Sequence, residues 1–308
     1  MIDIRRFEAS AFAPVLEAES RAWNDELHWD YGPAARIVTN CLVDKRLSGY
    51  ALVNEGRIEG YSFFLCEGGK GLIGDFFVPN TSAPRADVLR LLDHVLETLL
   101  ATPGVSRVEA QLPHADAQEL EHYFSEYGFK SYLRRFMVYR LRPLAERTAA
   151  DEFVIEPWER RHDRMAAQFI YQTYRGHVDA VINDQYASAE GAERLIDNIF
   201  DLHGCGEPVP QASLVAVHRA TQKLAGLVAL TAVRQTTSHI PQVAVGPPFQ
   251  SRGLGTALLD LAFGEAAHRG YQEVSLTVTD LNHGAVRLYE RLGFETLRTF
   301  GAFVWNRE

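Results

Sequence analysis

Cysteine and long apolar runs are scarce in this sequence, and its 31 basic residues are outnumbered by 40 acidic ones. Cys41, Cys66 and Cys205 are far apart and odd in number, which argues against a disulfide framework or a metal site and favours a reducing compartment. The net charge of −9 argues against a nucleic-acid partner, which would need a basic face, and suits a cationic ligand such as an amine. No apolar run approaches the ~18 residues of a membrane span, and the charged N-terminus lacks the apolar core of a signal peptide. We therefore expect a cytoplasmic protein without a membrane partner.

The two halves of the chain resemble each other. Each opens with a short alternating strand and an amphipathic run, and each closes with a β-branched strand, a helix that stops at a Gly-Phe pair, and a last strand. Gly128 and Gly293 in those pairs are expected to be helix C-caps with a positive φ angle. The sequence thus predicts two copies of one α/β unit.

The boundary between the copies is predicted from a change in composition. The stretch 141–153 is charged, Ala-rich and contains Pro143, which is typical of a linker. We therefore expect a first domain at 1–145 and a second at 152–308. Each domain carries three central strands that look antiparallel, and the stretch NEGR (54–57) predicts a hairpin turn.

The stretch QVAVGPPFQSRGLGTALLDLAF (242–263) runs from an apolar strand through a Gly-containing loop into a predicted helix. Such a loop can bind a phosphate, because glycines let backbone N–H groups approach it and the helix N-terminus adds a positive dipole. The alternative is an ordinary strand-to-helix turn. Leu258 stands where the dinucleotide fingerprint needs its third glycine, and no Gly-Lys-Ser or Gly-Lys-Thr follows, so neither of those phosphate motifs is present.

The pattern Gln-x-x-Gly-x-Gly at 250–255 resembles the acyl-CoA-binding signature of the GNAT acetyltransferase superfamily. The segment 274–294 is similar to the family's next stretch: a strand, an Asn, a helix with Ala-x-x-Leu-Tyr, and a Gly-Phe pair. The matching residues are Asn282, Ala285, Leu288, Tyr289, Gly293 and Phe294. The resemblance implies an α/β (α+β) fold of two tandem GNAT-like domains, each a mixed, mostly antiparallel sheet flanked by helices.

The resemblance also implies acetyl-CoA as co-substrate, without a metal. In the family two strands splay apart, and the pantetheine arm of the cofactor fills the gap by pairing with main-chain groups while a backbone loop holds the pyrophosphate. The implied cofactor-binding residues are Val243, Ala244, Val245, Gln250, Ser251, Arg252, Gly253, Leu254, Gly255, Thr256, Asn282 and Tyr289. The valine and alanine side chains can belong to the core at the same time, because the contacts are main-chain ones.

Two of these residues have a competing structural interpretation. Tyr289 resembles the family's general acid, which protonates the departing thiolate, but it also shares a helix face with Ala285, Leu288 and Leu292 and could be a core residue. Asn282 either contacts the cofactor arm or caps the helix that follows it.

A general base is not evident in the sequence. An alkyl amine has a pKa near ~10.4, so only about one molecule in 10³ is neutral at pH 7 and a proton acceptor is needed. Where the family often has an acidic residue, this chain has Gln242, which can orient water but cannot accept a proton. His239 is a candidate proton relay, although a His near a strand end is more often simply exposed.

The segment 171–188 corresponds to the family's acceptor-binding helices. Its polar and aromatic residues are the candidate acceptor site, with solvated loops and helix caps as the alternative, and the two acids could hold an ammonium group. They are Tyr174, His177, Asp179, Asn183, Asp184 and Tyr186.

The first half departs from the family pattern. Its corresponding loop lacks the glycine signature and contains Pro84, which removes a backbone donor, while Phe124 stands at the tyrosine position and Ala117 near the asparagine position. We expect a degenerate copy without an acyl-CoA loop.

The resemblance implies an N-acetyltransferase that passes an acetyl group to a primary amine of a small molecule by direct attack in a ternary complex. The alternatives are a non-catalytic acyl-CoA-binding or sensing protein, and an acyltransferase acting on a protein N-terminus or a hydroxyl group. A homodimer is left open.

Overall fold

A computed structural model describes residues 1–79, 83–142 and 151–307. The chain forms two compact units, one of Met1–Arg135 with Arg298–Glu308 and one of Phe136–Leu297. Most of the predicted linker, 143–150, and part of the first half's loop, 80–82, lie outside the described residues.

The elements of the first unit follow one another as strand, two helices, hairpins, helix, strand, helix. They are β1 (Ile2–Asp3), α1 (Ala13–Leu27), α2 (Gly32–Val43), β2 (Ser48–Asn54), β3 (Arg57–Glu67), β4 (Lys70–Phe77), α3 (Arg85–Ala101), β5 (Arg107–Leu112), α4 (Ala117–Glu126) and the first residues of β6 (Lys130–Arg140). Strands β1 to β4 pair antiparallel in order, and β4 pairs parallel with β5. Glu55 and Gly56 both have positive φ angles in the predicted NEGR turn, as the two central residues of a type I′ hairpin require.

The second unit repeats this order with one more helix and one more short strand. Its elements after the last residues of β6 are β7 (Phe153–Pro157), α5 (Asp163–Tyr174), α6 (Val178–Ile182), α7 (Ala189–Phe200), β8 (Glu207–Pro208), β9 (Leu214–His218), β10 (Lys223–Arg234), β11 (Thr237–Val245), α8 (Leu254–His268), β12 (Glu273–Thr279), α9 (His283–Leu292) and the start of β13 (Glu295–Asn306). Strands β7, β9, β10 and β11 pair antiparallel in that order, β8 pairs with β10, and β11 pairs parallel with β12. The expected fold class is confirmed.

The units divide the chain differently from the sequence-based boundary at 145–152. Residues 136–140 belong to the second unit, where Tyr139 stacks on Phe263 with ring centroids 5.2 Å apart. Residues 301–306 of β13 pair antiparallel with β5 in the first unit. The last strand of each half therefore lies partly in the other unit, so no single cut in the sequence separates the two units.

Each unit has apolar clusters on helices and strands at both faces of its sheet. In the second unit one cluster gathers α8 and α9, and the other gathers α5 and α7. Gly128 and Gly293 have φ angles of 79° and 97°, which confirms the predicted C-cap geometry. Among the described residues no helix has the length and apolar character needed to cross a membrane.

Candidate functional site

Strands β11 and β12 pair for only part of their length. Their parallel register runs from Thr237 opposite Glu273 to Ile240 opposite Leu276, although β11 continues to Val245. On the other edge of β11 the register with β10 slips by one residue between His239 and Gln242, which is a β-bulge that contains Pro241. A proline is tolerated there because it has no N–H to give to the ladder. The bulge coincides with the point where β11 leaves β12.

Beyond the bulge, the edge of β11 that faces the gap is not paired with β12. Gly246 donates its N–H to Ala225 in the neighbouring strand, and antiparallel pairing alternates, so Val243 and Val245 direct their N–H and C=O groups away from β10. Their carbonyl oxygens accept side-chain hydrogen bonds, from the Tyr174 hydroxyl to Val243 at 3.3 Å and from the Gln250 amide to Val245 at 2.9 Å. These main-chain groups can pair with an extended ligand in the gap.

The loop after β11 presents the start of α8 to the same gap. Ser251 and Gly253 both adopt left-handed conformations, with φ angles of 61° and 80°, and α8 begins at Leu254. No side chain caps the helix, because its N-cap residue is Gly253. The N–H groups of its first turn are therefore not occupied by a capping side chain, and an uncapped helix N-terminus can bind an anion through its backbone donors and dipole.

A cavity of about 610 Å³ joins the strand edge, the loop and α9. Of the predicted residues, it is lined by Tyr174, His177, Val243, Ala244, Val245, Gln250, Ser251, Gly253, Gly255, Thr256, Asn282 and Tyr289. Arg252 and Leu254 are not among the lining residues. Leu254 is buried in the core, and Arg252 lies at the surface with its guanidinium 3.5 Å from Glu152 and near the Phe249 ring.

The position of Tyr289 is compatible with both interpretations made from the sequence, and its role as a general acid remains a prediction. It is buried in the core cluster and its ring lies 5.5 Å from that of Phe294, yet it also lines the cavity. Burial raises the pKa of Tyr289 well above its usual range, and Tyr174 and Asp179 add to this. Its hydroxyl therefore stays protonated at neutral pH, and it donates no hydrogen bond to any residue that the structure describes. A proton donor thus faces the cavity.

Asn282 caps α9 as predicted, and its contact with a cofactor remains a prediction. Its side-chain oxygen accepts a hydrogen bond from the Ala285 N–H at 3.2 Å, which caps α9, and the residue lines the cavity as well.

Gln242 is buried, it is hydrogen-bonded to two tyrosines, and it is not among the residues that line the cavity. Its Oε1 accepts a 2.8 Å hydrogen bond from Tyr186, and its Nε2 donates to the Tyr174 hydroxyl at 3.1 Å. The two tyrosine rings stack with centroids 4.3 Å apart. The side chain is 2% exposed, so both ends of the amide are fixed by partners. Gln242 therefore orients Tyr174, which does line the cavity.

His239 lies away from the cavity-lining residues. It is buried rather than exposed, its Nδ1 lies 2.9 Å from the Ser275 hydroxyl, and its ring stacks on Phe136. Its role as a proton relay remains a prediction.

The other predicted acceptor residues form a polar shell around α6. Asp179 accepts a hydrogen bond from Thr279 and lies 3.4 Å from His177, whose Nδ1 in turn accepts from the Asp179 N–H. Asn183 caps the short turn that contains Asp184 and Tyr186. Only His177 and Tyr174 of the predicted set reach the cavity, while Asp179 lies close enough to affect Tyr289.

Several lining residues carry no motif that would single them out in the sequence. They are Thr173, Phe249, Leu259, Gly284 and Arg291. The sequence does contain a signal for Arg291, because it is a cation one turn after Leu288 on the predicted helix that carries Tyr289. In the sequence, nothing distinguishes Phe249 and Leu259 from ordinary core residues. Among the described residues no group of His, Cys, Asp and Glu side chains is arranged to hold a metal ion.

Part of the chain matches a known protein family. The family model described as Acetyltransferase (GNAT) family matches residues 178–294, which include the gap, the loop, α8 and α9. An uncharacterized N-acetyltransferase of Methanocaldococcus jannaschii is 42% identical over 62 residues, which are 20% of this chain and 27% of that protein. The ribosomal protein bS18-alanine N-acetyltransferase of Escherichia coli K12 is 39% identical over 66 residues, 21% of this chain and 45% of that protein. The matches thus span less than half the length of these relatives.

A solved structure resembles the chain over almost its whole length. The tandem GNAT protein from the clavulanic acid biosynthesis pathway has a TM-score of 0.61 and 16% identity, with 97% of each chain covered. This likeness concerns the fold alone, and it extends over both units.

Proposed function

We propose that this chain, whose residues 178–294 match the acetyltransferase (GNAT) family model, transfers an acetyl group from acetyl-CoA to a primary amine of a small molecule. The observation that carries the proposal is the cavity in which an open strand edge, an uncapped helix N-terminus and a protonated tyrosine meet. Acetyl-CoA supplies an activated thioester when it is bound, and the remaining work falls to the chain.

The donor end of the cavity suits a long ligand with amides and phosphates. The main-chain groups of Val243 and Val245 would pair with amide groups in the gap, as an added strand does. The N–H groups at the start of α8 would hold a pyrophosphate, and Gly255 leaves the approach open, since an added Cβ would lie 3.4 Å from Val245. This fit needs no cation from Arg252.

Tyr289 would protonate the leaving sulfur. A group that stays protonated at neutral pH and is held in a cavity by its helix can act as a general acid. Its proton would be replaced from solvent after each turnover.

The acceptor residues bear on the kind of amine. Gln242 cannot accept a proton, and of the predicted acceptor residues Tyr174 and His177 line the cavity. No carboxylate lines the described cavity, so an amine that arrives already neutral has the advantage. An α-amino group has a pKa near ~8 and is about a tenth neutral at pH 7, against about one in 10³ for an alkyl amine. We therefore expect amines of low pKa to be the better acceptors.

The test is calorimetric titration with acetyl-CoA followed by a panel of amines. Gly255→Leu should abolish binding, because the side chain enters the cavity. Gly264→Leu on the same helix should not, because nothing lies within 4 Å of the added Cβ there. If Gly255→Leu still binds acetyl-CoA, the cofactor does not bind at this site.

A non-catalytic acyl-CoA-binding protein is the second candidate, favoured by one observation. Gln242 replaces a proton acceptor and is held by Tyr174 and Tyr186. Tight acetyl-CoA binding with no turnover of any amine, including α-amino compounds, would decide for this candidate.

A further inference from the structure

The proposed reaction needs a proton acceptor, and Gln242 cannot be one. Among the described residues that line the cavity there is no Asp or Glu, and His177 is the one histidine. Histidine accepts and releases a proton near neutral pH, and it is the side chain that most often acts as a general base. His177 is therefore the cavity residue with the chemistry of a base.

His177 lies where α5 is followed by α6. It directly precedes Val178, the first residue of α6, and its ring packs edge-on against that of Tyr174 with centroids 5.1 Å apart. The Tyr174 hydroxyl in turn donates to the main-chain oxygen of Val243 at 3.3 Å. The imidazole thus lies beside the tyrosine that contacts the open part of β11.

Asp179 faces one nitrogen of the imidazole ring. The Nδ1 atom of His177 lies 3.4 Å from Asp179 Oδ2 and 3.2 Å from the Asp179 main-chain nitrogen. The Asp179 side chain is only 14% exposed, and its Oδ1 accepts a hydrogen bond from Thr279 at the end of β12. A carboxylate anchored to the sheet therefore holds Nδ1, whereas Nε2 has no hydrogen-bond partner among the described residues and is left for a ligand in the cavity.

The two partners of Nδ1 favour different positions of the ring hydrogen. The Asp179 N–H needs Nδ1 as an acceptor, which puts the hydrogen on Nε2, whereas the carboxylate needs a hydrogen on Nδ1 and leaves a lone pair on Nε2. An ammonium group has donors only, so an amine that binds at Nε2 selects the second form. The carboxylate then also stabilises the imidazolium that forms when Nε2 takes a proton.

Resting on the proposed function, we propose that His177 is the catalytic base of the acyl transfer and that Asp179 is its positioning residue. Nε2 takes one proton from the ammonium group, the freed lone pair forms the C–N bond to the acetyl carbon, and the C–S bond breaks. The sulfur receives a proton from Tyr289, and the second proton that the nitrogen loses replaces it by way of solvent. One proton per turnover then leaves His177 to the buffer.

The groups around His177 determine how the rate should depend on pH. They are Asp179 on α6, Tyr174 and Arg175 at the end of α5, Asp184 and Tyr186 in the turn after α6, and Tyr289 and Arg291 on α9. Carboxyl, phenol and guanidinium groups ordinarily keep their charge between about pH 6 and 8, whereas an imidazole changes its charge there. The rate should therefore fall as the pH drops through that range, because a protonated ring cannot accept a proton.

The first experiment measures acetyl transfer by the whole chain to each amine of the panel, glycinamide and propylamine among them, across that pH range. His177→Asn keeps a side-chain oxygen that can cap α6 but cannot accept a proton. We expect kcat at neutral pH to fall by about 10²-fold or more with unchanged acetyl-CoA affinity, and the decline at low pH to disappear. The loss should shrink toward about pH 9, where more of the amine is already neutral in solution.

His203→Asn is the matched control. The Nδ1 atom of His203 lies 2.9 Å from Glu207, so this histidine also has an acid beside it, but it is not among the cavity-lining residues. Its φ angle is 55°, a conformation that asparagine adopts readily. This variant should keep both the rate and the pH profile of the parent.

Asp179→Asn tests the positioning role, because it keeps an oxygen for the Thr279 hydroxyl and removes the charge beside the ring. It should lower kcat by a smaller factor than His177→Asn and move the midpoint of the low-pH decline to lower pH, since the imidazolium loses its carboxylate. Nitrogen NMR of the histidine rings gives a readout without turnover, with the His177 signals identified by their absence from His177→Asn. In the complex with coenzyme A and the amine, the ring hydrogen should be on Nδ1.

Two results would overturn the role of His177 while the proposed function stands. They are an equal rate and pH profile in the parent and His177→Asn, and a ring hydrogen that stays on Nε2 in the complex. A parent that binds acetyl-CoA but acetylates no amine would instead refute the proposed function, and this role with it. Should His177→Asn fail to fold, the midpoint shift in Asp179→Asn decides, and an unchanged midpoint there would count against the pair.

Discussion

Tyr186 donates its hydroxyl proton to Oε1 of Gln242 over 2.8 Å, at the strand position where a carboxylate would have served as a base. Since the Gln242 side chain is buried, its oxygen has no water to replace a lost donor. The side chains of Gln242 and Tyr186 therefore hold each other in place.

Tyr186→Phe should lower the free energy of unfolding by about 1–3 kcal/mol, because it leaves a buried acceptor unsatisfied. Urea denaturation measures the change. Tyr171→Phe is the control, since Tyr171 makes no hydroxyl hydrogen bond to a described residue. Adding Gln242→Met to Tyr186→Phe should recover part of the loss. A double variant that shows the plain sum of both losses would contradict the coupling.

Gly264→Ala should stabilise the second unit. Gly264 lies inside α8, its φ angle is helical, and nothing lies within 4 Å of an added Cβ, so alanine gains about 0.5–1 kcal/mol from reduced backbone freedom. Gly253→Ala on the same segment should instead lose stability, because φ is 80° there. Thermal unfolding of the two variants should shift in opposite directions, and shifts of the same sign would refute the assignment of these conformations.

Tyr289→Phe should lower kcat by about 10²-fold or more with little change in acetyl-CoA affinity, because it removes only the proton donor. The free energy of unfolding should hold or rise slightly, since the hydroxyl has no partner among the described residues. Stopped assays of thiol release with the best amine measure kcat. Full activity in the variant would reassign Tyr289 to the core alone.

The sequence predicted much of this arrangement because motif and periodicity carry local information. The glycine signature identified Gly253 and Gly255, both of which line the cavity, and the Gly-Phe pairs predicted two αL caps that the structure has. The left-handed Ser251 was not predictable, because serine has no preference for that conformation.

Long-range pairing was beyond the sequence. Nothing local to β13 indicates that residues 301–306 complete the first unit, or that Tyr139 packs on Phe263 in the second. The same holds for His239, whose burial against Ser275 depends on the register of two strands 36 residues apart in the chain. The acceptor cluster was predicted as a group, but which members reach the cavity depends on how α6 turns.

Glu19 of the first unit makes stability depend on pH. It lies on α1, it is fully buried, and its Oε2 accepts a hydrogen bond from Tyr61. Burial, followed by the neighbouring Asp75, raises the pKa of Glu19 well above its usual range. Because the pKa of Glu19 is raised in the folded state, that state holds a proton that the unfolded chain has already released near pH ~4.3. Above that pH the unfolding free energy falls by up to about 1.4 kcal/mol per pH unit, until the pH passes the raised pKa of the folded state. Glu19→Gln has no proton to lose and should escape this decline.

The stability difference between the parent chain and Glu19→Gln should therefore shift in favour of the variant as pH rises from about 4.5 to 7.5. Urea unfolding at several pH values across that range measures it, and other titrating groups cancel because both proteins share them. Glu17→Gln, on the exposed face of the same helix, controls for the substitution itself. A difference that stays constant with pH would mean that the pKa of Glu19 is not raised in the folded protein.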